Sequence, residues 1–178
     1  MLEHSVRYLA PWSSFYVMLG SSSAALTGLM FVVITLTRGG DVPARRDGLA
    51  TFSTPTLHHF SAALLFSAIL CAPWRSLIPP AALVGIAGLY GIVYLLRVAA
   101  MTRHLTRYVP DAEDWVWYTV LPLVAFSAAF GGAIALEFAP ALALYAIAAG
   151  VLLLIFIGIR NAWDVVTFLA IQGPPAPD

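Results

Sequence analysis

The chain has 178 residues, of which 61% are hydrophobic and only 10% charged, with a formal net charge of zero and a mean hydropathy of +0.88. A soluble domain carries about 25% charged residues, so there is too little polar material here to cover a water-facing surface. The absence of net positive charge excludes nucleic-acid binding, which needs a basic face. A single cysteine, Cys71, excludes an intrachain disulfide and a multi-cysteine metal site.

Five apolar runs follow one another, each to be measured against the roughly 20 residues that a helix needs to cross about 30 Å of hydrocarbon. They run from about Trp12 to Thr37, Thr56 to Ala72, Ala81 to Met101, Trp115 to Leu136 and Ala139 to Ile159, the last able to continue as a short helix through Asn161 to Ile171. Membrane strands would alternate apolar and polar residues over about 10 positions, whereas these runs are continuous. The fold class expected is an all-α integral membrane protein: one domain over residues 1–172, a bundle of five transmembrane helices, and a disordered tail over 173–178.

The first run is not a cleaved signal peptide. Ser21, Ser22, Ser23, Ala24 and Ala25 are small, but the apolar stretch continues unbroken through Ile34. Gly20, Ala24 and Gly28 recur at four-residue spacing, the pattern by which membrane helices approach closely, within one subunit or between subunits. With Ser23, Thr27 and Thr35 they form the candidate pore or interface face. Gly39, Gly40 and Pro43 then break the chain.

The second run opens on His58 and His59. Adjacent helical residues point about 100° apart, so the pair lacks the i, i+4 spacing of a two-histidine metal face, and no metal or other cofactor is expected. Pro73 ends this run, and Pro79 with Pro80 closes the next turn. In the third run Gly85, Gly88 and Gly91 are candidates for close packing. Tyr90, Tyr94 and Arg97 recur there at i, i+4 and i+7 as a polar stripe, either snorkelling or lining a cavity. Asp111, Glu113 and Asp114 precede the fourth run as a solvated helix start, and Pro122 inside it removes a backbone hydrogen bond and bends the segment. Asp164 stands four residues beyond Arg160, an ion-pair spacing, with Asn161 between them. The polar-cavity candidates are therefore His59, Tyr90, Tyr94, Arg97, Asn161 and Asp164, converging from several helices at one depth.

Orientation follows from arginine counts, because short cytoplasmic loops retain positive charge. Arg38, Arg45, Arg46, Arg97, Arg103, Arg107 and Arg160 fall on one side, and Arg7 and Arg75 on the other. That places the N-terminus outside and the C-terminus in the cytoplasm. Fusing the last two runs would put Glu137 in hydrocarbon, at about 2.5–3.5 kcal/mol on insertion scales. Trp12, Phe15, Tyr16, Trp74, Trp115, Trp117 and Tyr118 suit interfacial anchors.

The segment GSSSAALTGLMFVV over Gly20 to Val33 resembles the first helix of small multispanning bacterial inner-membrane proteins, some labelled modulators of a membrane-bound ATP-dependent protease. FSTPTLHHF, AILCAPW, EDWVW and GIRNAWDVVT resemble other parts of such proteins. The resemblance implies a bacterial inner-membrane setting and supplies no catalytic residues. It draws attention to Thr54, Thr56, His59, Asp114, Asn161, Trp163, Asp164 and Thr167. Nucleophile elbows, glycine-rich phosphate loops and paired metal-spaced histidines are absent, which leaves an intramembrane enzyme unsupported. The expected partners are the lipid bilayer and either further copies of the chain or another membrane protein. The functions left open are an oligomeric pore or small-solute conductor, a non-enzymatic accessory subunit, and an enzyme or ligand binder using a cytoplasm-facing polar cavity.

Overall fold

A computed structural model describes residues 7–37, 43–102 and 112–171, and these are helical throughout apart from short turns. After a single 3-10 turn at Ala10–Trp12, five helical segments follow: α1 (Ser13–Thr37), α2 (Pro43–Cys71), α3 (Ile78–Thr102), α4 (Leu121–Ala135) and α5 (Pro140–Ile171). One helical turn at Ala112–Trp115 and a wider π turn at Val116–Val120 lead into α4. Arg38, Arg103, Arg107, Asp111 and the tail over 173–178 lie outside the described residues.

Four stretches are long and apolar enough to cross a membrane: Arg7–Thr35, Ile78–Ala100, Val116–Ala135 and Pro140–Asp164. The apolar part of α2, Pro55–Cys71, is shorter. That composition and these lengths make the chain a membrane protein.

Two helix starts differ from expectation, each for a physical reason. The second helix does not begin near Thr56 but at Pro43, because the polar stretch over 43–54 ends the apolar pattern without ending the helix. Proline is well tolerated at a first helical position, where its missing N–H has no partner to lose. The third helix takes Pro79 and Pro80 into its own first turn for the same reason. The further helix over Asn161 to Ile171 is a direct continuation of the fifth, since α5 runs unbroken through Gly158 to Ile171 with no proline in that stretch to interrupt it. Its 32 residues span about 48 Å at 1.5 Å per residue, well beyond the hydrocarbon thickness.

Helix α5 is the hub of the bundle, packing on α4, α2 and α1, while α3 leans chiefly on α4 and only lightly on α2. Close approach is arranged by glycines. A Cβ on Gly150 would stand 2.6 Å from the Ala125 carbonyl oxygen, and one on Gly132 would stand 2.9 Å from the Ala143 carbonyl oxygen, so α4 and α5 meet backbone to backbone. Gly88 meets the Phe130 backbone at 3.1 Å and Gly91 lies under the Phe126 ring, which places the third-helix glycines inside the subunit. Such contacts hold apolar helices together where lipid offers no hydrophobic gradient.

At one end, Trp12 packs edge-on against Tyr145 with ring centroids 4.8 Å apart, and the Tyr16 hydroxyl donates to the Leu144 carbonyl at 3.4 Å. Trp74 Nε1 donates to the Ile69 carbonyl at 2.5 Å in the turn after α2. The opposite end carries Arg160, Asp164 and Glu113.

Candidate functional site

Two layers of polar groups meet where α2, α4 and α5 converge, near the Arg160 end. The outer layer is ionic. Arg160 donates through Nη1 to Asp164 Oδ1, one helical turn away, and through Nη2 to Glu113 Oε1 at 3.1 Å, joining α5 to the turn before α4. The Tyr118 hydroxyl donates to Asp164 Oδ2 at 3.5 Å, and the Trp117 ring lies 5.8 Å from the Arg160 guanidinium carbon, within cation–π range. Both Tyr118 and Trp117 belong to the π turn. Pro122 explains that turn: without an N–H it cannot bond the carbonyl four residues back, and its ring clashes there, so the helix widens just before it.

The inner layer is uncharged. His59 on α2 is 1% exposed and Asn161 on α5 is 0% exposed. Neither ring nitrogen of His59, nor Asn161 Oδ1 or Nδ2, has a hydrogen-bond partner among the described residues. Their position follows from the packing register. Gly158 stands against Phe60, with a Cβ there falling 2.5 Å from Phe60 Cε1. The helices are antiparallel, so His59, one residue before Phe60, and Asn161, three beyond Gly158, lie within about 3 Å of each other in depth. Both face α4. His59 is two turns from Phe66, whose ring packs on Phe126 of α4, and Asn161 is three turns from Gly150, which meets Ala125 of α4.

Burying a polar group without a partner costs about 1–3 kcal/mol, and most native buried polar atoms are paired. Four such atoms on two neighbouring helices at similar depth therefore call for a partner. Cysteine, aspartate, glutamate and histidine do not gather in groups of three or more anywhere among the described residues.

Of the expected cavity residues, Asn161 and Asp164 lie one turn apart on α5 and His59 falls near Asn161 in depth on α2, whereas Tyr90, Tyr94 and Arg97 all lie on α3. Tyr90 is 63% exposed on α3 and stacks on Tyr94, with centroids 6.4 Å apart, and Arg97 is exposed one turn further on. Their neighbour is His58, whose ring lies 4.5 Å from Tyr94 and 5.8 Å from Phe126. The two histidines thus point to different junctions, as 100° of helical rotation requires. Glu113 and Tyr118 were not among the expected site residues. Pro122 was the available signal, because a helix-interior proline marks where the preceding turn must be rebuilt.

The face proposed for a pore or interface is divided. Gly20 packs against Ser67, a Cβ there lying 3.1 Å from Ser67 Cβ, and Ser23 is fully buried. Thr27 donates to the Ser23 carbonyl and Thr35 to the Phe31 carbonyl, each at 2.8 Å, so both hydroxyls bond their own helix. Ala24 and Gly28 are exposed, and Gly28 faces open space. Among the residues marked by resemblance, Thr56 is buried, Trp163 is exposed and Thr167 donates to the Trp163 and Asp164 carbonyls, while the side chains of Thr54 and Asp114 lie outside the described ones.

No family model, no curated protein and no solved structure matches this chain.

Proposed function

We propose that this chain is a five-span protein of a bacterial inner membrane, with its N-terminus outside and its C-terminus in the cytoplasm, that binds a small solute at the α2–α4–α5 junction from the cytoplasmic side. One observation carries the reading: His59 and Asn161 are buried at one depth with all four side-chain polar atoms unpartnered among the described residues. Intramembrane polar groups are costly and mark binding or transfer sites by default. The Arg160, Asp164, Glu113 and Tyr118 network would close the cytoplasmic mouth over them.

A pore lined by the first helix has less support, because Ser23 turns into its own bundle and Thr27 and Thr35 bond their own backbone. A second reading, association with another copy or with a membrane partner through α1, rests on the exposed Ala24 and the open space beside Gly28.

The site reading is tested by placing cysteine at Asn161 in a Cys71→Ser background and adding a small water-soluble thiol reagent to vesicles of known sidedness. The expected result is modification from the cytoplasmic side only, faster when Asp164→Ala opens the mouth. No modification from either side, in either background, would remove the reading.

A further inference from the structure

Resting on that site, we infer that its solute is an uncharged molecule that both donates and accepts hydrogen bonds, of the carboxamide kind, rather than an ion. The donors and acceptors decide this. A neutral imidazole offers one N–H and one lone pair, and a carboxamide offers two N–H groups and a carbonyl oxygen. Between them, the unpartnered side chains of His59 and Asn161 present both kinds of group, at depths about 3 Å apart by the register of Gly158 on Phe60.

An anion could be met only by the donors and would leave the His59 lone pair and the Asn161 oxygen facing it without a match. A metal ion would find one nitrogen and one oxygen, short of the four or more ligands that such ions take. The nearest carboxylate on α5, Asp164, is already held by Arg160 and Tyr118. A bare ion would then lose its hydration in a low-dielectric junction without a countercharge. A molecule carrying C=O beside N–H has the opposite fit, since its carbonyl accepts from Asn161 Nδ2 or the imidazole N–H and its N–H donates to Asn161 Oδ1 or the free ring nitrogen.

The test uses the full chain in lipid nanodiscs. Acetamide and formamide are titrated against melting temperature and against the ring-nitrogen NMR signals of His59, with sodium chloride, zinc chloride and sodium acetate as ionic counterparts. A ligand that binds only the folded state raises its stability as concentration passes Kd. Saturable shifts in both signals with the amides and not with the salts are expected, with apparent affinity weakened about tenfold in Asn161→Leu, the effect of losing one hydrogen-bonding partner. The NMR readout on the unaltered protein keeps the test decisive if that variant does not fold. Salts that shift the signals while the amides do not would overturn the ligand class and leave the site standing. Silence from amides and salts alike would overturn both.

Discussion

At the scale of single residues, buried glycines and buried polar groups pull in opposite directions. Gly150 exists because the Ala125 carbonyl comes so close that a methyl group cannot be accommodated without moving backbone. Gly150→Ala is expected to cost about 1–3 kcal/mol, the usual range for overpacking. Gly28→Ala meets nothing and is expected to gain up to about 1 kcal/mol of helix propensity. Reversible unfolding in mixed micelles measures both, and equal effects at the two positions would contradict the packing described. Asn161 behaves differently. Replacing an unpartnered buried amide with an apolar side chain of similar size is near neutral or stabilising, so Asn161→Leu should unfold no more easily than the unaltered protein in the absence of solute. A loss of several kcal/mol would mean that the amide is bonded within the protein after all. The tension between stability and an unsatisfied group is what a binding site maintains.

At the scale of elements, apolar runs located the cores of the helices, because burial in lipid is a property of composition. Their ends were less legible. The residues over 43–54 form a helix although they carry two arginines and an aspartate, and the run Ile159 to Ile171 continues α5 although polar residues enter it. Hydropathy stops at the membrane surface, while backbone hydrogen bonding continues until something breaks it. The site divides along the same line. Asp164 with Arg160 was readable from i, i+4 spacing, whereas the shared depth of His59 and Asn161 depends on how Gly158 docks under Phe60, a register that no local pattern encodes. The π turn is the element on which the mouth depends. Pro122→Ala restores an N–H and lifts the clash, so the widened turn can tighten and rotate Tyr118 by up to about 100°, one residue of helix. In a Cys71→Ser background, a bifunctional thiol reagent long enough to replace the tyrosine ring should crosslink Tyr118→Cys to Asp164→Cys readily with Pro122 present and poorly once it is replaced. Unchanged yield would show that the proline does not set the turn. The ion pairs themselves add little stability: Arg160 and Asp164 are partly solvated, so Asp164→Asn should cost no more than about 1 kcal/mol.

At the scale of the whole molecule, the placement of charge that proposes an orientation also favours five spans over four. The turn Leu136–Phe138 is closed by backbone hydrogen bonds from Phe138 and Ala139 to the Ala135 carbonyl, and Glu137 and Phe138 are exposed there. A carboxylate at that position is cheap in water and costs about 2.5–3.5 kcal/mol at a bilayer centre, which supports the proposed arrangement in which the turn sits at a surface and α4 and α5 cross separately. With Trp12 packed on Tyr145, that turn shares its end of the bundle with the start of α1. Cysteines introduced at Arg7 and at Glu137 should therefore react with an impermeant thiol reagent from the same side of the membrane, and one at Glu113 from the other, all in a Cys71→Ser background. In the proposed orientation Glu113 is on the cytoplasmic side. Reaction of Glu137 and Glu113 positions from one side would collapse the five-span arrangement, whereas the expected split with the sides exchanged would preserve the bundle and invert it, moving the mouth of the His59–Asn161 junction to the outside.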